Sequence, residues 1–247
     1  MKIAFSQKHP FGAAILAGLL CTLLTGFGTA IPQRIGLKDI PTFIVMAIAV
    51  SASAFIGILI MMQSRFTINE YGFQKHLGKN VSKAWFFIPL ILIELIPIIT
   101  IGFSTEISPA LYVTIALFTI GVGFNEEIFF RGLALKFIRS RGMKKAIIWS
   151  SVMFGILHAA NAFNGKNLLY IILQISFAFL VGFVFAEVVC ITESIWIVIL
   201  CHAAHDFISL TTEEALDTKA IIILAVQTVI LLIYAIGLWK KLGVENR

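Results

Sequence analysis

Long apolar runs separated by short polar segments make up almost the whole chain. Eight of these runs approach or exceed the roughly 20 apolar residues that an α-helix needs to cross a bilayer. They cover residues 11–31, 42–63, 84–104, 109–137, 145–162, 167–190, 193–210 and 219–239. The pattern predicts an all-α, polytopic transmembrane helix bundle of about eight spans. The fifth and seventh runs are short and contain histidines, so we expect them to pack against neighbouring helices.

The composition favours the same class. Hydrophobic residues make up 59% of the 247 residues and charged residues 13%, whereas a soluble domain has about 45–50% and about 25%. The net charge of +6 lies in short loops between apolar runs, which is typical of membrane topology and argues against nucleic-acid binding. Residues 1–247 are therefore expected to form a single integral membrane domain, with membrane lipid as a partner.

The basic residues sort to one side of the predicted bundle. Of the 19 Lys and Arg residues, only Arg34, Lys38, Lys166 and Lys219 fall in loops on one side. Arg131 lies inside a span, and all the others fall on the opposite side. Because cytoplasmic loops carry the excess of Lys and Arg, the sequence predicts that both termini are cytoplasmic.

A charged cluster interrupts the fourth apolar run at Glu126, Glu127 and Arg131. Ionisable groups inside a membrane are costly and mark functional sites by default. Glu127 and Arg131 are four residues apart and share a helix face, which predicts an ion pair with a bidentate arginine. Glu126 points about 100° away, so we expect it to face a cavity as an acid–base group.

Two further runs carry histidines. His158 follows Phe154 by one helical turn, and His202, His205 and Asp206 lie near one face of the seventh run. At the helical rise of about 1.5 Å per residue, Glu126, His158 and His202 lie about 14–20 Å from the cytoplasmic ends of their spans. The three clusters therefore meet in one layer of the bilayer, as a single buried site requires.

Two kinds of chemistry fit these residues. In a metal-free scheme, Glu126 and His158 deprotonate a water molecule and His202 donates to the oxyanion. In the other, Glu126, His158 and His202 bind a divalent metal such as zinc, with Asp206 or His205 behind them. The H-E-x-x-H pattern of helical zinc proteases is absent. The sequence leaves both open, and we favour the metal-free scheme.

The motifs Glu126-Glu127-x-x-x-Arg131, Phe154-x-x-x-His158 and His202-x-x-x-Asp206 resemble those of the CAAX-protease and bacteriocin-processing (CPBP, or Abi) family of intramembrane proteases. The Ras-converting prenyl endopeptidase belongs to that family. The resemblance covers about residues 84–210, the expected catalytic core. It implies an intramembrane endopeptidase acting on a membrane-associated protein or peptide, in the cell membrane of a bacterium.

The resemblance also implies roles for the residues. Glu126 and His158 would activate water, His202 and Asp206 would stabilise the oxyanion, and Glu127 and Arg131 would support them. The family usually has Asn where this chain has Asp206. Asp206 is therefore expected to be a neutral donor, to orient His202 or to lean toward a metal.

Some residues and functions stay open at this point. Glu94 is expected to pair with Arg131, to line the cavity or to pack inside the bundle, and Glu187 to extend toward the cytoplasmic surface. A non-proteolytic binding or bacteriocin-immunity protein on the same scaffold is the alternative function. A proton-coupled carrier is a third, disfavoured because no paired, broken helices occur.

Overall fold

The structure is a computed structural model, and it describes residues 5–74, 80–160, 168–212 and 217–244. It is an all-α bundle. Its α-helices are α1 (Phe5–Lys8), α2 (Pro10–Arg34), α3 (Asp39–Met62), α4 (Ile88–Thr100), α5 (Pro109–Glu127), α6 (Leu135–Arg139), α7 (Met143–Leu157), α8 (Leu168–Thr192), α9 (Trp196–Thr211) and α10 (Thr218–Val244). Short 3₁₀ segments occupy Ile68–Tyr71 and Val81–Phe87, and Ile128–Ala134 is a π-helical segment.

The predicted all-α, polytopic membrane class is confirmed. Six helical segments in the described part of the chain are long and apolar enough to cross a membrane. They are Pro10–Arg34, Asp39–Met62, Val81–Thr100, Pro109–Arg139, Leu168–Thr192 and Thr218–Leu242. The runs predicted to be short form the shorter helices α7 and α9. The count of eight spans and the side of the termini stay predictions, and residues 161 and 162 of the fifth run and 167 of the sixth lie outside the described residues.

The third predicted span is not one continuous α-helix. Its start, Val81–Phe87, contains Trp85, Phe86 and Phe87 at φ values of 50°, 51° and 60°, and α4 begins only at Ile88. Pro89 in the first turn of α4 suits a helix start, because proline has no N–H to donate there. The apolar pattern alone does not reveal this break.

The fourth span changes its winding at the charged cluster. The α-helix ends at Glu127, and Ile128–Ala134, which contains Arg131, continues as π-helix before α6. All seven residues of the π-helical segment are buried. Such π segments are rare and occur often at functional sites, and this one follows directly after the paired carboxylates.

A close approach of α5 and α9 holds the centre of the bundle together. A Cβ atom at Gly123 would lie 2.8 Å from the Ile199 carbonyl oxygen and 3.1 Å from the Ala203 backbone nitrogen. Only glycine lets the two backbones come this near. The contact lies one turn from Glu127 on α5 and beside His202 on α9, so it brings the first and third motifs together.

Candidate active site

Glu127 is the centre of the polar cluster. Its side chain is fully buried, and Oε1 accepts hydrogen bonds from Arg131 Nη1 at 3.0 Å and from His202 Nδ1 at 2.7 Å. The pairing with Arg131 is thus present, through a single nitrogen and a single oxygen. The bond to His202 was not expected from the sequence. One carboxylate oxygen therefore joins the first motif to the third.

The ring of His202 lies between three carboxylates. Nδ1 donates to Glu127, while Nε2 lies 3.8 Å from Glu126 Oε2 and 3.6 Å from Asp206 Oδ2. The last two distances exceed the usual hydrogen-bond range of about 2.7–3.2 Å. Glu127 therefore sets the orientation of His202 by a hydrogen bond, and Asp206 faces the nitrogen that remains.

His158 lies at the C-terminal end of α7, and its hydrogen bond defines which ring nitrogen carries the proton. Its Nδ1–H donates to the Phe154 carbonyl oxygen at 2.7 Å. A backbone carbonyl accepts only, so Nδ1 carries the proton and Nε2 has a free lone pair in the neutral ring. Such a nitrogen can accept a proton or bind a metal ion.

Phe154 connects the three motifs by its ring. It packs edge-on against His158 at 4.7 Å between ring centroids and against His202 at 5.9 Å. The guanidinium carbon of Arg131 lies 4.1 Å above the same ring, which is a favourable cation–π distance. The phenylalanine of the second motif therefore positions side chains of all three.

Arg131 is almost completely buried, with 2% of its surface exposed. Its Nε and Nη2 atoms have no hydrogen-bond partner among the described residues, and the aromatic faces of Phe154 and Phe185 lie against the guanidinium. Gly182 on α8 provides the space, because a Cβ atom there would lie 3.0 Å from Nη2. A single hydrogen bond to Glu127 and stacking on aromatic rings hold this arginine, in place of the expected bidentate pair.

A cavity of about 430 Å³ opens beside these groups. His158, His202 and Asp206 line it, together with apolar residues of α4, α8 and α10, but Glu126 is not among the lining residues. The expectation that Glu126 faces a cavity stays a prediction, because this cavity is lined by His158, His202 and Asp206. The side chain of Glu126 is 17% exposed, and it lies against His202, with no hydrogen-bond partner for Oε2 in the described part of the chain.

A second acid–histidine pair lines the same cavity. His205 Nδ1 lies 3.1 Å from Glu94 Oε1 and 3.3 Å from Oε2. Glu94 thus lines the cavity, which was one of the placements predicted for it. Its partner is His205 and not Arg131. The signal in the sequence was a lone carboxylate in an otherwise apolar span, which indicates a partner without naming it.

Glu187 corrects another expectation. It lies near the C-terminal end of α8, which we predicted to be cytoplasmic, and we expected its side chain to extend toward that surface. Instead it is completely buried, and neither carboxylate oxygen has a hydrogen-bond partner among the residues that the structure describes. Its place among apolar side chains of the bundle is decided by packing and is not visible in the sequence.

The metal scheme needs three ligands that come together. Within the described ranges, no three His, Cys, Asp or Glu side chains form a group that could hold a metal ion. Glu126, His158 and His202, as placed, do not fit such a ligand set. The metal alternative stays a prediction.

Comparison with known proteins agrees with the motifs. Residues 108–208 match the family described as type II CAAX prenyl endopeptidase, Rce1-like. The matched region runs from the start of α5 into α9 and contains all six predicted site residues. No curated protein matches the chain.

Proposed function

We propose that the chain is an intramembrane endopeptidase of the CAAX prenyl endopeptidase family, which residues 108–208 match. Family membership implies a protease in general. The finer proposal is hydrolysis of a peptide bond in a membrane-associated protein or peptide by a water molecule activated by glutamate and histidine. The observation that carries it is Glu127 Oε1 bonded to both Arg131 and His202, with Glu126 and Asp206 flanking His202 Nε2.

Water activation is assigned to Glu126 and His158. Glu126 Oε2 is a buried acceptor without a partner among the described residues, and His158 Nε2 has a free lone pair because Nδ1–H is bonded to Phe154. A general base must present an acceptor atom to the proton that it removes. Apo geometry is often looser than that of the substrate complex, so the distance between Glu126 and the cavity is expected to shorten when a substrate binds.

Oxyanion stabilisation is assigned to His202. With Nδ1–H committed to Glu127, Nε2 carries a proton toward the substrate only in the imidazolium form of the ring, and the surrounding carboxylates of Glu126, Glu127 and Asp206 favour that form. A preorganised donor at the developing negative charge is commonly the largest single contribution to catalysis. Asp206, 3.6 Å from Nε2, supports that proton, so its carboxylate acts through His202.

In the proposed reaction, side chains of this chain carry out every proton transfer through cleavage of the C–N bond. Glu126 takes a proton from water as the oxygen attacks the carbonyl carbon, and His202 stabilises the tetrahedral oxyanion. The C–N bond then breaks, and Glu126 returns the proton to the leaving nitrogen, which yields a carboxylic acid and an amine. The acid then passes its proton to the amine, so that the final products are a carboxylate and an ammonium group.

Substitution of the two water-activating groups tests the proposal. Glu126→Gln and His158→Asn are each expected to lower cleavage of a membrane peptide at least about 100-fold, the contribution typical of general acid–base groups. The assay reconstitutes the full-length protein in liposomes and compares peptides by mass spectrometry. Gln63→Asn, a change at the exposed end of α3, is the control and should leave cleavage unchanged.

The same experiment separates the alternative function. If both variants insert normally and keep the cellular phenotype of the wild type, the protein is a binding or immunity protein and the protease proposal fails. If the variants instead lose the phenotype, a comparison of peptides from cells with wild-type and Glu126→Gln protein would identify the natural substrate, which would accumulate only with the variant.

A further inference from the structure

The pair of Glu94 and His205 has no part in the proposed reaction. Glu94 comes from α4 and His205 from α9, and both line the 430 Å³ cavity that also contains His158 and His202. The His205 ring packs against Phe177 of α8 at 5.6 Å between centroids. Fixed by Glu94 on one side and by Phe177 on another, the ring is held in place while 32% of its side chain remains exposed.

The rest of the cavity wall is mainly apolar. Its apolar lining includes Leu90 and Ile93 of α4, Leu173 and Val181 of α8, and Leu224 of α10. A peptide held for hydrolysis carries one carbonyl and, except at proline, one N–H group per residue. Leaving such groups without partners in an apolar environment costs on the order of 2–7 kcal/mol each. A peptide that enters this cavity therefore needs polar partners beyond the reacting groups.

Two atoms in the lining meet this need. His205 Nδ1–H donates to Glu94, so Nε2 of the neutral ring is an acceptor. Gln174, one turn before Phe177 on α8, has a buried Oε1 atom with no hydrogen-bond partner in the described ranges. Gln227 is a contrast in the same lining, because its Nε2 donates to the Ile93 carbonyl oxygen at 2.8 Å and joins α10 to α4.

We propose that His205, positioned by Glu94, and Gln174 form a subsite that hydrogen-bonds the backbone of an apolar substrate peptide beside the scissile bond. This inference rests on the proposed function and adds the substrate class, an apolar segment bound through its N–H groups. Glu94 is a positioning residue, since it acts through His205.

A pair of substitutions at one position isolates the acceptor atom. Asparagine places its amide nitrogen near the position of Nδ1 and keeps the bond to Glu94, whereas glutamine reaches the position of Nε2. In a Glu126→Gln background, His205→Asn is expected to weaken peptide binding about tenfold, as the loss of a buried hydrogen bond does, and His205→Gln to restore most of it. Glu94→Gln should have an intermediate effect. His9→Asn and Glu106→Gln, exposed and outside the cavity lining, are the matched controls.

The binding probe is an amidated decapeptide of Leu, Ala and Phe that carries one photoreactive benzoyl-phenylalanine. Crosslinking is measured by mass spectrometry on full-length protein in lipid nanodiscs. A second probe is the same peptide with every backbone nitrogen methylated, so that it has no backbone N–H to donate. It is tested on the wild type and should crosslink about tenfold less than the unmethylated peptide.

The outcomes are distinct. Equal crosslinking of the methylated peptide, equal binding by the His205→Asn variant, or no crosslinking at all would overturn the subsite. Cleavage of the unmethylated probe by protein with intact Glu126 tests the enzyme separately. If the crosslinking pattern holds and no cleavage occurs under any condition, the subsite stands and the protease proposal fails.

Discussion

At the scale of single residues, two hydrogen bonds through one oxygen atom organise the site. Arg131, Glu127 and His202 form a continuous buried chain. Burial of the Glu127 carboxylate costs desolvation free energy, and contacts with a cation on one side and an imidazole on the other offset that cost. In the proposed scheme, Glu126, the neighbouring carboxylate, remains available to activate water.

Arg131 should be replaceable by neither lysine nor methionine. Lysine keeps the charge but loses the planar stacking on Phe154, at a cost of about 1–2 kcal/mol in the free energy of unfolding. Methionine leaves Glu127 as an uncompensated buried charge, at a cost of about 3–5 kcal/mol. Folded yield and thermal unfolding in detergent measure both, and an Arg131→Lys protein as stable as the wild type would contradict the stacking role.

Glu127→Gln tests the orientation of His202. The amide oxygen still accepts from Nδ1–H, but the negative charge between Arg131 and His202 is lost. We expect kcat for peptide cleavage to fall at least about 10-fold, because the carboxylate that orients the histidine and stabilises its imidazolium form is lost, with KM little changed. A variant with normal kcat would show that the bond to His202 has no catalytic consequence.

At the scale of helices, the approach of α5 and α9 determines whether the motifs meet. The Glu127–His202 bond of 2.7 Å spans these helices near the point where Gly123 touches the backbone of α9. Apolar patterning predicts both helices, but their separation depends on which residue faces which. A single glycine at the crossing sets that separation.

Gly123→Ala should therefore separate the helices. The added methyl group would meet backbone atoms at 2.8 and 3.1 Å, which cannot move without moving α9. We expect a loss of about 1–3 kcal/mol in stability, the usual cost of overpacking, together with a loss of cleavage. Gly26→Ala on α2, where nothing lies within 4 Å, is the control and should be neutral or slightly stabilising.

At the scale of the whole molecule, backbone contacts pair segments at the two ends of the bundle. Ser104 N donates to the Thr211 carbonyl oxygen at one end of α9, and Ile195 N donates to the Gly72 carbonyl oxygen at the other end. The sorting of Lys and Arg assigns the first end to the outside and the second to the cytoplasm. The pairing of ends agrees with that assignment, while the direction of the bundle in the membrane stays a prediction.

Cysteine labelling checks the direction. In a background with Cys21, Cys190 and Cys201 replaced by alanine, Thr105→Cys should react with a membrane-impermeant maleimide in intact cells. Ser140→Cys should react only after the membrane is permeabilised. Both positions are exposed in the structure, so the reverse pattern would invert the predicted topology.

The sequence by itself determined the membrane class, the approximate positions of the helices and the three motifs. Apolar length and the cost of intramembrane charge are local properties that a linear pattern records. It also placed Glu127 and Arg131 on one face, since residues four apart on a helix are neighbours.

Only the tertiary structure decided the partners across helices. Glu127 bonds to His202, Glu94 pairs with His205, and Glu187 is buried without a hydrogen bond to the described residues. These outcomes depend on helix separation and rotation, which close contacts such as Gly123 against α9 determine. The break before α4 and the π-helical segment after Glu127 arise in the same way, because packing of the bundle overrides the average helical pattern.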